Sequence, residues 1–210
     1  MSRRSTDQER FWAGEFGTEY TRRNRDLAGG RQPFFADILR RTGKITSVCE
    51  LGANTGENLR AIRSVNPKLR LTGVEINPEA NRVLSSIPDV DAHCVAIQDF
   101  KTATRYDLVF TAGVLIHIAP VDLPDVYDKI YALSARYVLL NEYFNPTPVE
   151  VEYRGHSGKL FKRDFAGDFM ERYVNQVTVA GYGFLWKKVE PAWDDTTWTL
   201  FEKTGGSTKP

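Results

Sequence analysis

Val48-Cys49-Glu50-Leu51-Gly52-Ala53-Asn54-Thr55-Gly56 decides how this chain folds. A β-favouring run ends in an acid and then in two glycines four residues apart, which reads as a strand, a tight turn and the start of a helix. Glycines at such a turn let the backbone bend sharply and come close to a ligand. The first amides of the following helix point into the same space, so the stretch reads as a nucleotide-cofactor turn. The dinucleotide fingerprint has a glycine where this chain has Asn54. The close approach that a pyrophosphate requires is therefore not provided, and a cofactor without one fits better. Glu50, two residues before the first glycine, sets a carboxylate where a cationic group such as an amino-acid ammonium would meet it.

Outward from that turn the chain alternates. Asn58 to Ser64 continues as a helix that ends near Asn66-Pro67, Leu69 to Ile76 reads as a second strand, and Asn77-Pro78-Glu79 opens another helix with proline near its first position. Val90 to Ile97 and Asp107 to Ala112 give two more strands, and a helix from Val121 to Leu133 leads to a fifth, Tyr137 to Glu142. Such βαβ alternation demands a parallel sheet with helices on both faces. Asn145-Pro146-Thr147-Pro148 then predicts an extended loop, followed by a short helix from Arg163 to Tyr173. Two β-rich runs, Gln176 to Lys188 and Thr196 to Lys203, read as an antiparallel hairpin closing the sheet.

With 210 residues and 41% apolar content, the chain is long enough for one sizeable core and short for two. A formal charge of +1 offers no global basic field for nucleic acid or an anionic membrane. Cys49 and Cys94 fall in two strands read as buried, without metal-type spacing, which points to small buried thiols in a reducing cytoplasm. Met1 to Arg10 is too polar for a secretory signal, and no apolar run approaches the roughly 20 residues of a bilayer span. Thr204 to Pro210 reads as a flexible tail.

Together these elements resemble the class I S-adenosylmethionine-dependent methyltransferases, α/β proteins with a Rossmann-like, seven-stranded sheet whose last two strands form that hairpin. The motif resemblance runs from about Val48 to His117 and the fold pattern to Glu202. It implies a helical lid over residues 1–45, a methyltransferase domain over 46–203 and S-adenosylmethionine as cofactor. It assigns the methionine part of that cofactor to Glu50, Gly52, Asn54 and Gly56, and the ribose hydroxyls to Glu75, which ends the second strand beside Ile76. The adenine falls to Ile97 and Gln98, in Ala96-Ile97-Gln98-Asp99-Phe100, where the family more often has Asp. Thr111 and Gly113, in Thr111-Ala112-Gly113-Val114-Leu115-Ile116-His117, match the segment beneath the sulfonium. The stretches from Phe11 to Asn24 and from Tyr153 to Phe165 resemble the methylases associated with pseudaminic acid biosynthesis, a similarity covering nearly the whole chain. That association implies methyl transfer more firmly than any acceptor.

Methyl transfer is a direct displacement in which an acceptor lone pair attacks the methyl and the sulfonium charge vanishes, so the protein supplies alignment first and a general base only for an acceptor that must lose a proton early. The catalytic candidates are His117 by motif position, His156 in the glycine-flanked segment Gly155 to Gly158, and Glu142 and Tyr143 at the end of the fifth strand. His93 reads as a structural strand residue. Trp12, Tyr20, Arg23 and Asn24 form the aromatic and cationic part of the lid, with Tyr20 and Arg23 three apart on one face and counted with the cofactor contacts. Lys159, Lys162 and Arg163, with Arg154 nearby, suit a carboxylate or phosphate on the acceptor. The expected acceptor is thus a small anionic molecule: a sugar acid, a nucleotide sugar or an amino-acid-like metabolite. The alternatives are an RNA or protein methyltransferase, an enzyme using another sulfonium bond, and a cofactor-binding module without an acceptor pocket. An RNA enzyme would normally bring a basic surface. DNA amino methylation needs an Asp or Asn followed by two prolines and an aromatic after the fourth strand, which Thr111 to Val114 lacks.

Overall fold

Strand β1 (Ser47–Leu51) is buried along its whole length, because it runs through the middle of a seven-stranded sheet and has helices over both faces. The computed structural model describes residues 4–23 and 28–205. Before β1 lie α1 (Asp7–Ala13), α2 (Glu15–Arg23) and α3 (Ala28–Thr42). After it come α4 (Glu57–Val65), β2 (Arg70–Glu75), α5 (Pro78–Leu84), β3 (Val90–Cys94), β4 (Tyr106–Ala112), α6 (Leu123–Leu133) and β5 (Ser134–Glu142). The chain ends with β6 (Val149–Tyr153), β7 (His156–Lys162), α7 (Phe165–Arg172), β8 (Val177–Leu185) and β9 (Thr196–Lys203). The sheet order is β3-β2-β1-β4-β5-β9-β8; the first five strands are parallel, and β9 is antiparallel to both β5 and β8. The expected Rossmann-like architecture and its closing hairpin are both present.

Alternation along β1 sends Val48 to one face and Cys49 and Leu51 to the other. On the Val48 face, Phe35 and Ile38 of α3, Leu59 and Ile62 of α4, and Phe110 of β4 are fully buried. Each such side chain contributes about 1.5–3 kcal/mol on burial. This packing fixes the first turns of α3 and α4 beside the carboxyl end of β1. The expected lid segment therefore divides, because α3 is bound into the core while α1 and α2 lie elsewhere. The opposite face is covered by α6 and α7 through Val126, Ile130 and Phe169.

Three expectations change. The stretch after Asn145 is a two-stranded hairpin, β6 with β7, rather than a loop. Tyr153 pairs with His156 across Arg154 and Gly155, both at positive φ (52° and 81°), the conformation that a two-residue hairpin turn requires. Cys94 is exposed, since β3 forms one edge of the sheet and is only partly covered, whereas Cys49 is buried. In the expected tail, Thr204 donates from its backbone to Gln176 O (2.9 Å) and from its hydroxyl to Asn175 O (2.9 Å); residues 206–210 lie outside the described residues. No helix among the described residues is long and apolar enough to cross a membrane.

Candidate active site

The carboxyl ends of β1, β2 and β4 open into a cleft of about 330 Å³, where ligands of open α/β sheets bind. Its floor is the turn after β1. Gly52 has φ +80°, and a Cβ there would sit 2.5 Å from Val114 Cγ2, so the position accepts no side chain. Gly52 N and Ala53 N both donate to Val74 O, at 2.8 and 2.9 Å, which locks the turn to β2. Asn54 adopts φ +47°, a left-handed conformation that Asn tolerates better than most residues. Its side-chain oxygen accepts from the Thr21 hydroxyl of α2 (3.1 Å).

Two carboxylates lie in this cleft. Glu75, 9% exposed, accepts from Asn54 N through one oxygen and from Asn77 N through the other, each at 2.7 Å. Every carboxylate oxygen has a second lone pair, so Glu75 holds the turn and retains acceptor capacity. Glu50 is 1% exposed; its Oε1 accepts from Asn58 Nδ2 (2.6 Å), while Oε2 has no hydrogen-bond partner among the described residues. Burial pushes Glu50 up to about 8, against the opposing effects of the Asn58 hydrogen bond and Arg31. Burial likewise raises Glu75, with the amides of Asn77, Asn54 and Ile76 working against it.

The folded chain therefore keeps on Glu50 a proton that the unfolded chain releases near pH 4.5. This contribution to stability is fully present below that value and is lost as pH rises through about 8. The ligand-free protein is expected to lose roughly 2–4 kcal/mol of unfolding free energy between about pH 5 and pH 9. Glu142, pushed up to about 7 by burial, has the same sign. Glu50→Gln should leave a shallower slope, and denaturant titrations across this range measure it.

Of the sequence candidates, Glu50, Gly52, Asn54, Glu75, Ile76, Ile97, Gln98, Gly113, Tyr20 and His117 line the cleft. The others sit elsewhere. Gly56 (φ +83°) begins α4 against Ile87 and Leu84, a packing position. Thr111 is fully buried in β4, and Glu142, 2% exposed, lies beneath the turn after β4 and accepts from Val114 N (3.0 Å). Tyr143 donates to Asp194 Oδ2 (2.6 Å) and reaches the site only through that residue. His156 is exposed on β7, packs against Phe11 and Phe16, and does not line the cleft. Arg23 does not share the cleft with Tyr20; it is exposed over the Phe16 ring. Asn24 lies outside the described residues.

The expected anion clamp is dispersed. Arg163 pairs with Asp168 (2.6 Å), Lys162 lies over Tyr143, and Lys159 lies over Phe11. His93 bonds Asp91 (2.9 Å) on the edge strand, as a structural residue would.

His117 packs against α1 and β6, its ring centroid 4.3 Å from that of Trp12 and 5.3 Å from that of Tyr153. Nδ1 is 2.8 Å from the Lys159 carbonyl, which only accepts, so Nδ1 carries the proton and Nε2 the lone pair. Burial lowers the imidazole to about 4, which keeps it neutral at physiological pH. Tyr20, raised to about 12 by burial, stays a phenol.

Sequence reasoning missed Arg31, Asn58, Trp193 and Asp194, all of which line the cleft. Arg31 and Asn58 stand at the starts of helices either side of the motif, while Trp193 and Asp194 come from the β8–β9 connection. No local pattern marks any of them.

Residues 49–136 match the family model described as a methyltransferase domain. No curated protein matches the sequence. Among solved structures, a 1,6-didemethyltoxoflavin N1-methyltransferase from Burkholderia thailandensis is 14% identical, with a TM-score of 0.70 over 90% of this chain and 85% of that one. A magnesium protoporphyrin IX methyltransferase from Synechocystis, solved with S-adenosylmethionine, is 11% identical, with a TM-score of 0.67 over 97% and 100%. An amino pentose methyltransferase from Micromonospora echinaspora is 13% identical, with a TM-score of 0.65 over 90% and 96%. Residues 49–136 thus match a methyltransferase domain, and they lie in a chain with the Rossmann-like fold of S-adenosylmethionine-dependent methyltransferases.

Proposed function

We propose that this methyltransferase domain acts on a small molecule, with S-adenosylmethionine as the methyl donor. The observation that carries the reading is the pair of buried cleft acids: Glu50, with an unpartnered oxygen, which keeps its proton in the ligand-free chain and gives it up when an ammonium supplies the opposite charge, and Glu75, with spare lone pairs suited to adjacent hydroxyls. An ammonium and a diol are the two ends that this cofactor presents, and the apolar side chain of Ile97 suits its adenine. When bound, S-adenosylmethionine supplies an electrophilic methyl on a sulfonium. Similar structures solved with this cofactor or its demethylated form support the assignment, and their acceptors include small molecules and a peptide.

On the acceptor side, Trp12 and Tyr20 of α1 and α2 form a cover that excludes water. The neutral His117 ring presents a hydrogen-bond acceptor rather than a strong base, so alignment is the main contribution of the protein. Arg154 is exposed over the Tyr153 ring, outside the cleft lining, whereas Lys187 lines the cleft in an ion pair with Asp194. Lys187, rather than the basic run from Lys159 to Arg163, supports an acceptor bearing a carboxylate or phosphate. The resemblance to methylases associated with pseudaminic acid biosynthesis makes nonulosonic acids and nucleotide-linked sugars the first acceptors to assay. Incubation with S-adenosylmethionine and this panel should release S-adenosylhomocysteine in step with methylated product. Release of methylthioadenosine instead would assign the chain to a different bond of the sulfonium, and absence of cofactor binding would remove the reading altogether.

A further inference from the structure

Arg31 is fixed at the edge of the core by two hydrogen bonds and a ring stack. Its Nε donates to Ala192 O (3.2 Å), its Nη1 to Asn58 Oδ1 (2.7 Å), and its guanidinium stacks 4.6 Å over the Trp193 ring. Both hydrogen bonds end on neutral oxygens and use two of the five donors of the fork. The α3 start and the β8–β9 connection are pressed together here, since a Cβ on Gly30 would lie 2.6 Å from Ala192 Cβ. Beside Arg31, the Trp193 indole N–H is buried without a partner among the described residues, and so is the Thr55 hydroxyl. These three donor groups line the same cleft as the unpartnered Glu50 oxygen.

We infer that Arg31 and Trp193 form a carboxylate-binding corner that, facing Glu50, recognises the zwitterionic amino-acid end of the cofactor. The inference rests on the proposed cofactor. It adds two residues from outside the matched domain and a specificity: ligands that lack the carboxylate are discriminated against. Glu50, Glu57 and Asp194 already lie within electrostatic reach of this guanidinium, but both of its hydrogen bonds end on neutral oxygens, and a planar fork beside an indole N–H matches two carboxylate oxygens. Asn58 joins the two halves, donating to Glu50 and accepting from Arg31, so the ammonium and carboxylate subsites are set relative to each other by one amide. The carboxylate subsite also lies in the connection that carries Asp194, which places cofactor recognition next to the acceptor wall.

Isothermal titration of the full chain with three probes tests this: S-adenosylhomocysteine, decarboxylated S-adenosylmethionine, which keeps the ammonium, and methylthioadenosine, which has neither group. The wild type is expected to bind S-adenosylhomocysteine about 10- to 100-fold more tightly than the decarboxylated ligand. Arg31→Ala should remove that advantage while leaving methylthioadenosine affinity within about threefold, Arg31→Lys should restore part of it, and Trp193→Phe should lower it severalfold. Unchanged methylthioadenosine binding is the internal control for folding; should Arg31→Ala not fold, Trp193→Phe decides. The inference is overturned if the wild type does not distinguish S-adenosylhomocysteine from the decarboxylated ligand. Equal weakening of all three probes by Arg31→Ala overturns it too, because that marks a purely structural clamp. If the wild type binds none of the probes, the cofactor reading itself fails.

Discussion

Under the proposed function Glu75→Ala is expected to raise the dissociation constant for S-adenosylmethionine by at least about 100-fold, because the two charge-assisted hydrogen bonds that this carboxylate would accept from adjacent hydroxyls are each worth about 1.5–3 kcal/mol. The carboxylate has a second task that makes the effect larger than a lost ligand contact. It bridges Asn54 N, in the turn after β1, and Asn77 N, at the start of α5, each at 2.7 Å. Without it two amides lose their acceptor, at about 1–3 kcal/mol each where water cannot replace it, and the left-handed Asn54 turn loses one of its ties. Glu75→Gln separates the two tasks. The amide keeps one acceptor oxygen but turns an NH₂ toward a backbone donor, so its stability loss should be about half that of Glu75→Ala. Its affinity should still fall about 10- to 100-fold, because one acceptor for the hydroxyls is gone. Isothermal titration and denaturant unfolding on the same preparations read both quantities. Wild-type affinity in Glu75→Ala would sink the assignment of this residue, whatever its stability.

How much of this was legible in the sequence depended on the range over which each feature is determined. The β1 turn, Glu50 and Glu75 are local: strand, turn and helix follow one another within a few residues, and the backbone placed all three in one cleft as expected. Glu142 was misplaced as an acceptor contact because its surroundings are non-local. Only the parallel β4–β5 register, which pairs Ala112 with Asn141, brings its carboxylate beneath Val114 N and out of the cleft. His156 was drawn toward the site by the glycines around it. The alternation Val149-Glu150-Val151-Glu152-Tyr153 and the Arg154-Gly155 turn already carried the period of a hairpin, but the two prolines before them dominated the reading. Cys94 was exposed for a topological reason, since nothing in its own strand says that β3 is the edge of the sheet. Arg31 and Trp193 are 162 residues apart by their numbers and meet only because α3 and the β8–β9 connection pack on the same side of the sheet. Side chains recruited in this way leave no mark on sequence spacing.

Gly17→Ala should detach the cover from the cleft while leaving the core folded. A Cβ at this position would lie 1.9 Å from Trp12 O and 2.9 Å from Asn77 Nδ2; the first is backbone and cannot swing aside. The side-chain amide of Asn77 is a central tie of the N-terminal helices, beside Arg22 with Glu79 and Thr21 with Asn54: Nδ2 lies within hydrogen-bonding reach of Trp12 O (3.0 Å), Thr18 Oγ1 (3.2 Å) and Gly14 O (3.3 Å), while Oδ1 caps α5 through Glu79 N and Ala80 N. Relief of the clash therefore moves α1 away from α2 or breaks the Asn77 contacts, and either shift takes Trp12 off His117. Overpacking of this kind costs about 1–3 kcal/mol. Here the cost falls on helices held by the Asn77 contacts and by Phe11, Trp12 and Phe16 against His117, Tyr153 and His156, outside the buried core, so the main unfolding transition should move little. Trypsin cleavage after Arg10, Arg22 or Arg23 should accelerate by about tenfold or more, as expected when a cover opens independently of the core. Saturating S-adenosylhomocysteine should protect the wild type and protect Gly17→Ala far less, since the ligand is then bound without its cover. With a cognate acceptor, the turnover number should fall more than cofactor affinity, by about 100-fold, because a displacement reaction depends on alignment and water exclusion. Unchanged cleavage kinetics in Gly17→Ala would show that α1 and α2 are not held as a movable cover, and Trp12 would then be a fixed wall of the cleft.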